Sequence, residues 1–370
     1  MPDSNLHKLS ALGQSVWIDY LSRQLLQSGT LARLMDEDAA VGVTSNPTIF
    51  QKAIAEGNLY DEQLKEILDG GEDDSKEIFL QLSSRDISDA CELLAPIWDA
   101  TTGQDGYVSW EVDPTLAYDK EATIAEARRL HEWLEKPNLY VKIPATEPGL
   151  GAIEEMIAAG RNINVTLIFS LDRHREVMEA YIRGVERLVE SGGDPSKVHS
   201  VASFFVSRVD TETDNRLDKI GGEATSLKGK LGIANAKLAY QNYLETFAGP
   251  RWEALEAKGA TKQRCLWAST STKNPEYRDV MYVEELIGPE TVNTMPEETI
   301  LAFQDHGRVA PTLTQDVDAA RKLLDDLAAA GIDYDDVTDT LEREGVQKFS
   351  DSFEELLDGV RSKRGELVRA

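Results

Sequence analysis

The chain has only two cysteines, Cys91 and Cys265, far apart and without Cys-x-x-Cys or Cys/His spacing. That excludes a disulfide framework and a cysteine-based zinc site, and predicts two packed, reduced thiols. There is no run of about 18 apolar residues of the kind that spans a bilayer. Met1 to Lys8 contain no apolar stretch of signal-peptide length, so a cytoplasmic location is expected, with no membrane partner. Positive charge is also scarce: 39 Lys and Arg stand against 66 Asp and Glu, a formal net charge of −27. Such a field disfavours nucleic acids and anionic membrane surfaces as partners. The acidic residues lie along helix-like segments such as Phe353 to Asp358, as a solubilising surface does. An anionic substrate would therefore need a few arginines and lysines gathered into a local positive pocket. Linkers and internal repeats of fixed period are absent too.

What is present is ordinary globular material, 41% hydrophobic and 28% charged over 370 residues. Eight short β-branched or apolar runs recur: Val16–Asp19, Val41–Ser45, Tyr107–Val112, Leu139–Ile143, Ile163–Phe169, Val198–Val206, Arg264–Ala268 and Thr291–Thr294. Amphipathic stretches such as Arg173–Glu190 and Ala234–Phe247 separate them. This alternation predicts an α/β fold, a parallel (β/α)8 TIM barrel forming one domain over 1–370. The long gap between the second and third runs predicts a helical insertion at 47–105, with helices at Leu59–Leu68 and Ile87–Trp98 around the acidic turn Gly70–Asp74. Gly221–Gly229 reads as a mobile loop, and 312–370 as helices that close the barrel. The acidic stretch Asp333–Thr338 lacks a ligand and the turn glycine of a calcium loop. Asp335 or Asp336 is better read there as the N-cap of a helix beginning near Val337.

Lys142 stands out because it interrupts the apolar run Leu139-Tyr140-Val141-Lys142-Ile143-Pro144. An unpaired ammonium is costly in a buried strand. The residue is either a strand-end lysine whose head reaches water or a buried amine held for chemistry, and burial is what makes an amine nucleophilic toward carbonyls. In a TIM barrel the side chains at the C-terminal strand ends converge on one pocket. The polar residues at those ends form a coherent set: Asp19, Asn46, Glu111, Lys142, Asn164, Thr166 and Ser203. Taken singly, each has a simpler reading; Asn46-Pro47, for example, also fits a helix cap followed by proline at the first helical position.

Taken together, the set suits amine catalysis. Loss of water from a carbinolamine needs one proton carrier, and cleavage of a carbon–carbon bond needs another. Asp19 and Glu111 can supply the two. Because a carboxylate opposes formation of the neutral amine, at least one of the two acids is expected to act on Lys142 through a water or Thr166. Arg208 after the sixth run, with Ser269, Ser271 and Lys273 after the seventh, is a candidate anion pocket of the kind barrels build from late loops.

Several stretches resemble the transaldolase family along nearly the full chain, in particular its longer bacterial branch. They are Val43-Thr44-Ser45-Asn46-Pro47-Thr48-Ile49, Val108-Ser109-Trp110-Glu111-Val112-Asp113-Pro114, Val141-Lys142-Ile143-Pro144-Ala145-Thr146, Ile163-Asn164-Val165-Thr166-Leu167-Ile168-Phe169-Ser170 and Ser203-Phe204-Phe205-Val206-Ser207-Arg208. The resemblance implies that Lys142 forms the Schiff base. It implies that Asp19 is the acid/base of cleavage and that Glu111 with Thr166 organises the water of imine formation and hydrolysis. Asn46, Asn164 and Ser203 would hold substrate hydroxyls, and Arg208 phosphate. The sequence departs from the family after the seventh strand, where Lys273 stands in place of a frequent arginine, and at Ser207, where glycine is frequent.

The implied activity moves a dihydroxyacetone unit from sedoheptulose 7-phosphate to glyceraldehyde 3-phosphate in the non-oxidative pentose phosphate pathway. It needs no metal and no organic cofactor, and its partners are small sugar phosphates; association with further copies of the chain is left open. The nearest alternative is a fructose-6-phosphate aldolase-type lyase on the same scaffold. Those members resemble this chain but carry a tyrosine at the position of Phe205, and phenylalanine cannot move a proton. More remote are a metal-dependent barrel lyase or isomerase, for which none of the five histidines stands beside Asp19 and Glu111 in the sequence, and a non-enzymatic scaffold.

Overall fold

A computed structural model describes residues 4–45, 47–55 and 57–367. Eight parallel strands close into a barrel in sequence order: β1 (Gln14–Ile18), β2 (Ala40–Thr44), β3 (Tyr107–Glu111), β4 (Leu139–Pro144), β5 (Ile163–Ile168), β6 (Ser200–Phe205), β7 (Arg264–Ala268) and β8 (Thr291–Met295), with β8 pairing back on β1. Each predicted run overlaps one of these strands. The ends differ by one or two residues, and Asp19 lies just beyond β1.

Alternation along each strand explains the two cores. Val16, Ile18, Val108, Trp110, Val141 and Ile143 face outward into the layer of helices. Trp17, Tyr107, Tyr140, Val201, Leu266 and Val292 fill the barrel interior. Gly42 is required in that interior layer, since a Cβ there would stand 2.5 Å from the Trp17 ring. Two residues farther along, toward the C-terminal ends, the same inward rows turn polar, with Ser109, Lys142 and Ser203. Cross-strand register levels Glu111 with Lys142 and Lys142 with Asn164.

The crossover from β2 to β3 holds three helices, Pro47–Ala55, Asp61–Asp69 and Ser75–Ala100. The last begins twelve residues before its predicted start. Asp74, in the acidic turn, caps it by accepting from the amides of Lys76 and Glu77. Gly222–Leu227 forms a 3-10 helix where a mobile loop was expected. It is flanked by Lys228, paired with Asp218 at 2.7 Å, and by the Gly229 amide, which donates to Asp214 at 2.8 Å. The final helix begins at Tyr334, three residues earlier than predicted. Asp333, rather than Asp335 or Asp336, lends its carboxylate to the first turn by accepting from the Asp336 amide.

That final helix, Tyr334–Leu367, packs against the Pro47–Ala55 and Ser75–Ala100 helices and the end of β5. Gly345 permits the approach: a Cβ there would lie 3.1 Å from Leu167. Leu167 itself has a positive φ of 60°, uncommon for a residue with a side chain, where the β5–β6 register shifts. The irregularity packs Leu167 and Phe169 with Val346 in the interior core, immediately after inward-facing Thr166.

Candidate active site

At the C-terminal end of the barrel is a cavity of about 260 Å³. Its wall carries Lys142 from β4, Asn164 and Thr166 from β5, and Ser203 and Phe205 from β6. Asp19 follows β1, Arg208 lies in the first turn after β6, and Ser269, Ser271 and Lys273 come from the segment after β7. Glu111 stands behind this wall, beside Lys142. Asn46 lies outside the described residues.

Period-two alternation carries Lys142 inward, two residues above Tyr140. Its side chain is 9% exposed, and Nζ donates to the Ser45 carbonyl at 3.3 Å. Glu111 Oε2 lies 3.7 Å from Nζ, an ion pair too long for a good hydrogen bond. Among the described residues that oxygen has no hydrogen-bond partner. Burial pushes the Glu111 carboxyl above the usual range, against the downward pull of Lys142. Glu111 is thus the direct carboxylate neighbour of the amine.

Asp19 is fixed differently: its Oδ1 accepts from the Thr44 hydroxyl at 2.9 Å. Burial raises its carboxyl as well, opposed first by Lys142, then by the Thr44 hydrogen bond, Arg208 and Lys273. Two carboxyls with elevated proton affinity therefore stand near one amine. Asn164 is oriented by a hydrogen-bond chain, in which Ser203 donates to its Oδ1 at 2.7 Å and its Nδ2 donates to Ser109 Oγ at 3.0 Å. The amide and hydroxyl are thereby set in fixed directions on the wall.

Arg208 makes no ion pair among the described residues; its guanidinium lies 4.9 Å from the Phe205 ring and 5.8 Å from that of Phe349. Burial favours its neutral form, and Asp19 and Glu111 counter that. The segment after β7 is tied to the Arg208 turn by Ser207, whose hydroxyl meets that of Ser269 at 2.8 Å and whose amide donates to the Ser269 carbonyl. Ser269 has a positive φ of 57°. Lys273 Nζ donates to Ser271 Oγ at 2.7 Å, so these two act as a unit, whereas Ser269 belongs with Ser207.

Three contributors escaped the sequence reading. Thr44, which orients Asp19, sits two residues beyond Gly42 and was legible from strand alternation. Ser45 holds Lys142 through its backbone carbonyl, which carries no side-chain signal. Phe349, on the final helix, lines the cavity 5.9 Å from Lys142 Nζ, and nothing local in the sequence marks it. Among the described residues no group of three or more His, Cys, Asp or Glu side chains is placed to hold a metal ion, and no helix is long and apolar enough to cross a membrane.

A larger cavity, about 420 Å³, opens at the opposite end of the barrel. Its charges are matched to one another: Arg264 pairs with Asp105 at 3.0 Å and Lys262 with Glu290 at 3.1 Å. Arg264 and Asp105 both bond the Ser15 hydroxyl as well, which stitches the strand starts together.

A buried strand lysine beside two carboxyls, with an unpaired arginine in the same cavity, defines a barrel equipped for amine–carbonyl chemistry on an anionic compound. The chain belongs to the transaldolase/fructose-6-phosphate aldolase family, whose family model matches residues 16–360. It is 54% identical over 368 residues to a transaldolase of Acidothermus cellulolyticus, covering 97% of this chain and 99% of the relative. It is 53% identical to a transaldolase of Frankia alni, covering 97% of each. With transaldolase 2 of Streptomyces coelicolor the identity is 50%, over 98% of this chain and 97% of the relative.

Proposed function

We propose that the protein is a transaldolase that carries a dihydroxyacetone unit from sedoheptulose 7-phosphate to glyceraldehyde 3-phosphate in the pentose phosphate pathway. The observation that carries this reading is Lys142, buried 3.7 Å from Glu111 in the cavity that also holds Asp19 and Arg208. The Lys142 amine attacks the ketose carbonyl, and the carbinolamine loses water with Glu111 and Thr166 handling the proton and the departing water. Asp19 then takes the proton of the C4 hydroxyl as the C3–C4 bond breaks and erythrose 4-phosphate leaves.

The electrons of that bond enter the protonated imine, leaving an enamine on Lys142. No metal or organic cofactor is called for, because the iminium is itself the electron sink. The enamine carbon attacks the aldehyde of glyceraldehyde 3-phosphate, Asp19 returns its proton to the new alkoxide, and water frees fructose 6-phosphate. Asn46, Asn164 and Ser203 hold substrate hydroxyls. Arg208 and the Lys273–Ser271 pair take the phosphate, with Ser269 positioning the loop. We read 1–370 as one barrel domain with an insertion at 47–105 and a closing segment at 312–370, acting in the cytoplasm.

The test is a coupled assay for fructose 6-phosphate from the two substrates, run beside an assay for free dihydroxyacetone without acceptor. Acceptor-dependent transfer in excess of release supports the reading. Release that ignores the acceptor would assign the chain to the aldolase side of the family, and loss of activity with a chelator would indicate metal-dependent chemistry.

A further inference from the structure

The family chemistry leaves an enamine on Lys142 between two half-reactions, and any water that reaches its carbon ends the transfer. The carbon takes a proton from that water, the hydroxide adds to the imine carbon, and the C–N bond breaks to release dihydroxyacetone and restore the amine. On the barrel side Phe205 comes from β6 and packs on Phe169 with ring centres 5.1 Å apart, an apolar wall to the cavity. From the other end of the sequence, Phe349 also lines the cavity.

We propose that Phe349, on the final helix, is a positioning residue that shields the Lys142 enamine from water and holds Arg208 in place, so that it sets the ratio of transfer to hydrolysis. Its ring lies 5.9 Å from Lys142 Nζ and 5.8 Å from the Arg208 guanidinium carbon, and it lines the cavity. Arg208 thus lies within cation–π range of two phenyl rings, one from the barrel and one from the helix. A phenyl ring can occupy this place because it attracts both cations through its face yet offers no proton to the enamine carbon.

The ring is held on both sides. Four residues before it, Gly345 seats the helix on Leu167 and Phe169, where any side chain would crowd. Four residues after it, Phe353 packs edge-on against Phe79 at 5.9 Å, and Phe79 against Phe50 at 5.7 Å. Residues four apart share a face of a helix, so the three point the same way. Phe50 belongs to the helix that follows β2, so the final helix is joined to an element leading directly out of a barrel strand.

This inference rests on the Schiff-base reading of Lys142, and the experiment separates the two. Phe349→Ala, Phe349→Leu and the parent enzyme are compared for fructose 6-phosphate formation and for dihydroxyacetone release, with borohydride trapping on Lys142 as a control for the intact site. In Phe349→Ala, release per transfer event is expected to rise roughly tenfold or more, and KM for the ketose phosphate to rise with it. In Phe349→Leu, which keeps apolar cover without the ring face, the ratio should recover toward the parent while the raised KM persists.

An unchanged ratio in Phe349→Ala with normal trapping would overturn the proposal, as would parallel loss of transfer and release in both variants. Absence of trapping in the parent would instead overturn the Schiff-base reading. If Phe349→Ala does not fold, Phe349→Leu decides through its KM: a parent-like value overturns the role of the ring in holding Arg208.

Discussion

The two ends of the barrel use the same materials and arrive at opposite electrostatic states. At the N-terminal end Arg264 meets Asp105 at 3.0 Å and Lys262 meets Glu290 at 3.1 Å, and the larger cavity there is lined by charges already spent on one another. At the C-terminal end the contacts are looser. Lys142 and Glu111 are 3.7 Å apart, Asp19 is held by a threonine, and Arg208 faces aromatic rings in place of a carboxylate. Charge that is buried but not closely paired is energetically expensive, and it is kept where a ligand completes it. Cavity size alone would have selected the wrong end.

Breaking the C-terminal end should cost activity, beginning with the amine. Lys142→Ala is expected to lower transfer at least roughly 10⁴-fold in a steady-state assay, with the folded state intact by circular dichroism. Asp19→Asn should lower kcat by about 10²–10⁴-fold while KM moves little, as removal of a proton carrier does. Arg208→Leu should act mainly on KM, raising it by about 10–100-fold for a phosphorylated ketose and far less for the unphosphorylated sugar.

Breaking the N-terminal end should cost stability instead. Arg264→Leu leaves Asp105 without its cation and should destabilise the fold by about 2–4 kcal/mol in chemical denaturation, with kcat and KM close to the parent. A comparable loss of activity in that variant would remove the distinction between the two ends.

A further effect concerns pH. Burial pushes the Asp210 carboxyl up to about 7, against the Gly232 amide and the Tyr282 hydroxyl that bond it. Its unfolded value is about 3.9, so between these limits the folded state binds the extra proton. The contribution is therefore fully present below pH ~4 and lost as pH rises through 7. Asp210→Asn should show a flatter dependence of Tm on pH across that window than the parent.

Much of this was legible because a parallel barrel writes its strands as apolar runs, and a lysine in such a run is conspicuous. Lys142, Asp19, Glu111 and Arg208 could be gathered from the sequence because barrel topology dictates where strand ends meet. The failures were non-local. The helix predicted to start at Ile87 begins at Ser75, and Asp86 is buried within it, accepting from Arg23 at 2.9 Å and Tyr60 at 2.7 Å. Its partners are more than twenty residues away. Phe349 is one of three aromatics in the final helix, with nothing local to set it apart, and the seating of Gly345 on Leu167 and Phe169 helps bring it to within 5.9 Å of the lysine. The cap of the last helix was misplaced because three aspartates in four residues fit the role equally well by type.

The most direct test of the account is borohydride reduction of the enzyme with a ketose phosphate, followed by peptide mass spectrometry. Schiff-base chemistry at Lys142 predicts a three-carbon adduct on that residue, formed in the parent and absent from Lys142→Ala. No adduct, or an adduct on a different lysine, would contradict it.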